Sequence, residues 1–471
     1  MTDWFMNINN TSGTYNGTSE ATGWTDFNDV RVSHWGSSIT GGDRLYVKAG
    51  QNGLTYRIEG GNNYFSSEHG NMALNNHGVA DKAVDIIGYP YAGTTSDIPL
   101  GDDRPCVVPR RTNGQSWFMR KGGKMSNIRF ETPPDATDNR TAHVDLSDAG
   151  TVVKNCAVVT KDGTIGDRMQ NVNLAYGVNV MGCEFDDQVE ASNWPTRDAG
   201  YNVNFTCFSS NEINGCVFKQ RTPSFFFRFR NTYGRETWKN CIFIGTPNCL
   251  GIVDNVTYTA AGQQLSGGIK FDNCIFYNMG VGFNPPMITS AGSRTTESSW
   301  RTQYGAFSAR NCIFENCGKA IKSPADYADP SGWVSGNFSY NSTVAIRDCV
   351  FAQNTTNMEG DLNEAGSVYA TGSVFKNAAA GDFRLNDIPG RGALVKQKLP
   401  MFEFNLLSNM GFNPRPGENS FEEQVVVVSG SSPAFSTALS NNSKIVFTGT
   451  NRKFKIETAS SGAKVFRRVK R

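Results

Sequence analysis

The chain predicts an all-β solenoid, and three observations carry that reading. A four-residue pattern recurs through its middle at separations of 24 to 38 residues, within the 20–50-residue period of stacked-repeat architectures. Every copy opens on Asn, Gly or Asp, the residue types that enter the left-handed backbone region at least cost. The 471 residues include 49 Gly and 31 Phe, many turns and large core aromatics together, which suits strands joined by tight bends.

The full copies are Asn155-Cys156-Ala157-Val158, Gly182-Cys183-Glu184-Phe185, Gly215-Cys216-Val217-Phe218, Asn240-Cys241-Ile242-Phe243, Asn273-Cys274-Ile275-Phe276, Asn311-Cys312-Ile313-Phe314 and Asp348-Cys349-Val350-Phe351. Weaker copies flank them at Asn127-Ile128-Arg129-Phe130 and Gly372-Ser373-Val374-Phe375. Alternate residues of a strand share a face. Cys and Phe therefore point one way and the residue between them the other. Before each bend stands a mostly large apolar residue: Val153, Val180, Ile213, Trp238, Phe271, Ala309 or Ile346. Each copy reads as strand, bend, strand, and stacked copies place Cys on Cys and Phe on Phe. The outward position between them is Val217, Ile242, Ile275, Ile313 and Val350 in five copies. Stacked, these form an exposed apolar stripe, which is the signature of an interface.

Residues 1–40 are read as an irregular N-terminal cap with Trp4, Phe5, Trp24, Phe27 and Trp35 over the first coil. Residues 41–390 are read as the solenoid, with inserted loops at 186–206, 284–306 and 323–341. Residues 391–419 form a linker broken by Pro400, Pro414 and Pro416. Residues 420–471 are a small β-module or docking arm, with strands expected at Val425–Val428, Lys444–Phe447, Lys453–Ile456 and Lys464–Phe466. The basic end Arg467-Arg468-Val469-Lys470-Arg471 is read as a solvated terminus that discourages edge pairing.

The net charge of +2 gives no global signal for nucleic acid. No apolar run is long enough to span a membrane, and the first residues lack the basic-then-apolar pattern of a signal peptide. Seven of the 11 Cys occupy one core position. They are read as buried, reduced filling, which favours assembly in a reducing cytoplasm. No metal site is expected from them: Cys312-x4-Cys317 and Cys241-x7-Cys249 lack a tight knuckle, and no His lies near. No cofactor is expected.

The segments GGDRLYVKAG at 41–50 and AVDIIGY at 83–89, with the repeated NCIF, resemble the right-handed parallel β-helix proteins of the pectin-lyase-like superfamily over about residues 20–390. The resemblance implies three short parallel sheets wound as a prism, with Asn at the bends. It also frames the catalytic tests, because that scaffold serves lyases, hydrolases, adhesins and phage tailspikes alike. Polygalacturonase-type hydrolases carry Asn-Thr-Asp, Asp-Asp and Gly-His-Gly. This chain has Asp186-Asp187 but no Gly-His-Gly, and adjacent Asp on a strand point to opposite faces. Pectate-lyase-type elimination needs clustered carboxylates and an Arg base. Arg228 and Arg230 share one face of an alternating strand, and Asp254 and Asp272 are the carboxylates on later coils. The expectation is a structural virion protein of a bacteriophage: a capsid decoration, fibre or tailspike-like adhesin, assembled in the host cytoplasm. It is expected to be homotrimeric, to contact other virion proteins and host surface polysaccharide, and to use neither nucleic acid nor a membrane. The alternatives are a polysaccharide lyase or glycoside hydrolase of the depolymerase type, and a bacterial adhesin.

Overall fold

A computed structural model describes residues 1–385, apart from segments between strands, and the strands Phe454–Thr458 and Lys464–Arg468. Residues 386–453 lie outside the description, and before them the longest such segments are 60–83, 323–343, 291–307 and 189–204. The chain divides into two units, Met1–Pro416 and Gly417–Arg471.

The first unit is a right-handed parallel β-helix. Its first sheet stacks twelve described strands, from Asp3–Asn7 through Arg44–Lys48 and Asp85–Tyr89 to Leu362–Ala365. Its second stacks eleven, from Tyr56–Glu59 to Val368–Ala370. The third side carries a six-stranded sheet in the earlier coils. In the later coils it carries a three-stranded one made of Val281–Phe283, Lys319–Lys322 and Thr356–Glu359. Pairing in all of these is parallel, each strand meeting the equivalent strand one coil later. Eleven intervals of ~4.8 Å give the first sheet a length of about 53 Å.

The bend is what lets a three-residue strand turn a corner every coil. Asn127, Asn155, Gly182, Gly215, Asn240, Asn273, Asn311 and Asp348 all have positive φ, between 47° and 67°. Each donates its backbone N–H to a carbonyl of the next coil, as Asn273 does to Arg310 at 2.9 Å. Where the bend is Asn, its side chain extends the ladder along the axis. Asn155 Nδ2 donates to Asn127 Oδ1, and Asn273 Nδ2 to Asn240 Oδ1, both at 2.8 Å. A second bend lies five residues beyond the first in three coils, at Asn278, Asn316 and Gln353, all with positive φ.

The ninth copy is corrected. The bend after Asp348 is Gly366, with φ 76°, and the strand that follows is Val368–Ala370. Gly372-Ser373-Val374-Phe375 repeats the letters Gly-Ser-Val-aromatic one turn too late and lies outside the stack. The start is corrected too. Asp3–Asn7 is a solenoid strand pairing in register with Arg44–Lys48. Only the residues after it form the cap, with Trp24 stacked on Trp4 at 5.5 Å. Two of the four strands expected in the C-terminal module fall outside the described residues, as does the linker at 391–419. The other two form an antiparallel hairpin, Phe454–Thr458 with Lys464–Arg468.

The interior is two columns of like residues. Phe185, Phe218, Phe243, Phe276, Phe314 and Phe351 stack nearly parallel, with centroids 4.5 to 5.3 Å apart, and Tyr369 ends the column. Beside them stand Cys156, Cys183, Cys216, Cys241, Cys274, Cys312 and Cys349, all buried and unbridged. Cys suits the position because its S–H reaches back across the bend to the carbonyl two residues earlier. Cys241 to Lys239 is 3.1 Å and Cys312 to Arg310 is 3.2 Å. Burial pushes the thiols of Cys156, Cys216, Cys274 and Cys349 well up, and those of Cys249 and Cys317 to about 12. Burial opposes ionisation of Cys241 and Cys312 as well.

Two outcomes follow from this core. In the native protein the seven column thiols react slowly with a thiol reagent, limited by access, and all react at once in denaturant; mass spectrometry of alkylated peptides checks this. Asn273→Val, which puts a β-branched residue at positive φ, lowers stability by about 1–2 kcal/mol, whereas Asn273→Gly loses only the side-chain ladder bond. Urea unfolding midpoints of the two variants rank them.

Candidate functional site

Outward residues of the second sheet fall into two columns, one on each side of the Phe stack. Register runs the first as Arg129, Ala157, Glu184, Val217, Ile242, Ile275, Ile313, Val350 and Val368. It runs the second as Glu131, Val159, Asp186, Lys219, Ile244, Tyr277, Glu315, Ala352 and Ala370. Charge gathers at the early end of this face and apolar residues at the late end.

The charged end is the candidate site. Lys219 Nζ reaches Glu184 Oε1 at 2.6 Å, a diagonal pair across neighbouring coils. Arg129 is paired with both Glu131 and Asp102. Asp186 Oδ2 accepts from Gln188 Nε2 at 3.0 Å, while its buried Oδ1 has no hydrogen-bond partner among the described residues. Glu184 and Asp186 are two apart on one strand, so their Cα atoms stand about 6.6 Å apart on the same face. Glycoside hydrolysis needs two carboxyl groups about 5–9.5 Å apart flanking the scissile bond, one of them desolvated. Glu184 has partners and partial exposure instead. This arrangement of alternating carboxylates and cations suits hydroxyl-rich or charged ligands, which it meets with hydrogen bonds in both directions.

Among the described residues, Asp186, Asp187 and Asp272 do not converge. Asp186 faces out and Asp187 faces in, as alternation requires. Asp187 is buried in a polar column between Thr160 and Gln220. Asp272 lies on the first sheet, in an outward column of Lys239, Asp272, Arg310 and Arg347, and accepts from Asn311 Nδ2 at 3.3 Å. Arg228 is in the third-sheet strand Phe225–Phe229, in register with Thr206. Arg230 and Asp254 fall outside the described residues, as do most of the loops expected at 186–206, 284–306 and 323–341.

The apolar stripe requires a correction. Val217 is 8 % exposed, Ile242 1 %, and Ile275, Ile313 and Val350 are fully buried. They point away from the Phe stack, as expected, but the chain itself covers them. A second apolar core joins them to Val368, Val374, Phe375, Ala378 and Phe383. After its last coil the chain doubles back along the outside of the sheet. The 3-10 turn Ala378–Ala380 links the short antiparallel strands Phe375–Asn377 and Asp382–Leu385, and Phe383 meets Phe375 and Tyr277 edge-on. The β-branched stripe was legible in the sequence; its cover was not, because the covering residues imitate a further repeat.

Glu131, Glu184, Lys219 and Glu315 were not singled out in the sequence. Their signal is positional: each is a charge flanking the Phe-stack residue of its coil. No family model matches this chain, and no curated protein is similar to it.

If the charged end binds a ligand, Glu184→Gln with Lys219→Met weakens binding of an acidic or neutral polysaccharide without lowering the melting temperature by more than a surface pair warrants, about 0–1 kcal/mol. Glycan-array binding and thermal melts of the double variant measure the two effects separately.

Proposed function

We propose that this chain is a structural virion protein of a bacteriophage, a capsid decoration, fibre or tailspike-like adhesin resembling the pectin-lyase-like β-helices. The observation that carries the reading is the continuous core: an aromatic column and a column of free thiols run through successive coils. Such a core makes a stiff rod, and free buried thiols fit assembly in a reducing host cytoplasm before incorporation into a particle. The charged end of the second sheet offers a surface for host polysaccharide.

Partners in this proposal are other virion proteins and further copies of the chain. The stripe lends no support to a trimer, since it is covered internally, so the trimer rests on the resemblance alone. A second reading, a polysaccharide lyase or glycoside hydrolase of the depolymerase type, is favoured by one feature: Glu131, Glu184 and Asp186 share one outward face.

Two measurements test these readings. Electron microscopy of the native particle, with an antibody to this chain, finds label on the virion, and ultracentrifugation of the purified protein gives an oligomer. A soluble monomer absent from particles overturns the structural proposal. Release of reducing ends or unsaturated uronates from host polysaccharide, abolished by Asp186→Asn or Glu184→Gln, establishes the depolymerase in its place.

A further inference from the structure

One carboxylate sits where the second sheet is otherwise apolar. In the outward column its neighbours are Tyr277 on the coil before and Ala352 on the coil after, with Ile313 beside it. Glu315 is 2 % exposed, at the seam between the sheet and the segment that doubles back over it. Both of its oxygens are used by that segment. Ser373 donates its hydroxyl to Oε1 at 2.6 Å, and Val374 donates its backbone N–H to Oε2 at 2.8 Å. Among the described residues no cation forms an ion pair with it. The segment springs from Gly372, where a Cβ would meet nothing within 4 Å, so the chain leaves the solenoid through open space.

We propose that residues 372–385 are a proton-sensitive strap, latched by Glu315 over the apolar stripe, which loosens when Glu315 ionises and uncovers Ile242, Ile275, Ile313 and Val350. This goes beyond the virion reading and does not depend on it.

The physics is a contest at one side chain. Two donors favour the charged form of Glu315. Removal from water without a counter-ion opposes it. Burial is the larger effect, and the carboxyl stands above its ordinary range even with the bonds from Ser373 and Val374 pulling it down. Among the described side chains, the other titratable groups at the seam do not relieve it. Tyr277, raised mainly by burial, feels the Glu315 charge as a further rise. Cys317, two residues along, is a buried thiol. Lys376 is exposed on the outer side of the strap, and Asp382 and Arg384 occupy the register positions alternate to Phe383.

The sign follows from linkage. With the strap open, Glu315 is solvated and its pKa is ordinary; with the strap closed, it is raised. The closed state therefore binds more protons across the interval between the two values. Closure is tightest below the ordinary carboxylate pKa and weakens as pH rises through the raised one. Neither donor is lost on ionisation, so the strap is weakened and not expelled, and opening is local and sub-global.

Hydrogen exchange on the full chain reads this directly. The Val374 amide is itself a latch bond, and the Gly381 amide, bonded to Ala378 O, reports on the rest of the strap. After correction for intrinsic rates, protection at Val374 and Gly381 falls from pH 5 to pH 8. Protection at Ile275, whose N–H bonds Cys241 O within the sheet, stays flat. Binding of a hydrophobic dye rises over the same interval. Glu315→Gln, which cannot titrate, abolishes the pH dependence of both readouts. Ser373→Ala removes one donor to the charged form and moves the transition to higher pH, which keeps the test available should the Gln variant fold poorly. Equal protection at both pH values in the native chain overturns the proposal. So does an unchanged slope in Glu315→Gln, or parallel loss at Ile275, which would mean that the whole solenoid is responding.

Discussion

The left-handed bend between the first and second sheets is the constraint on which everything else rests. From Asn127 onward each coil turns sharply between two short strands at a residue of positive φ, whereas the two coils before it use connections of 7 and 16 residues. Eight successive coils make the sharp turn with Asn, Gly or Asp. Because the bend fixes the phase of the strand after it, the inward positions of every coil line up. Cys falls on Cys and Phe on Phe without any long-range instruction. The homotypic columns are thus a result of the bend, and the backbone hydrogen bond from each bend to the next coil locks the register that produces them.

Much of this was legible because the bend has a narrow chemical vocabulary. The lead residues at 127 through 348 have the predicted conformation, and their Cys and Phe are buried as alternation requires. What escaped has physical reasons. The second bend, at Asn278, Asn316 and Gln353, was hidden because Gln is outside that vocabulary and Gly245 occupies the same place in another coil without an unusual φ. The false ninth copy shows that the letters Gly-Ser-Val-Phe do not by themselves make the bend: Gly372 lacks the positive φ that Gly366 has, and its strand, Phe375–Asn377, lies outside the stack. The real bend, at Gly366, comes only 18 residues after Asp348, shorter than any separation in the pattern.

The apolar stripe carries the most general lesson about faces. Alternation correctly places Ile242, Ile275 and Ile313 away from the Phe column, yet outward in a solenoid is not the same as exposed. A sheet has two faces, and a returning segment turns the second into a core of its own. Conversely, the early end of the same face keeps its charges, Arg129 and Glu131, then Glu184, Asp186 and Lys219, around the buried Ala157 and Val159. The division of one sheet face into a charged early half and an apolar late half was invisible coil by coil, since it needs the register of at least five consecutive strands.

The in-register columns also make the coil a unit of length. Each coil presents the same Asn, Cys and Phe to the coil before and the coil after, so the two faces of a coil are near copies of one another. Duplicating or deleting a whole coil between, for instance, Asn240 and Asn311 leaves every junction like those already present. The rod changes by one ~4.8 Å step each time. The bend ladder therefore behaves as a ruler: the cap around Trp24 keeps its own contacts when a coil is added or removed, whereas the strap, which packs on Ile242, Ile275 and Tyr277, must re-register.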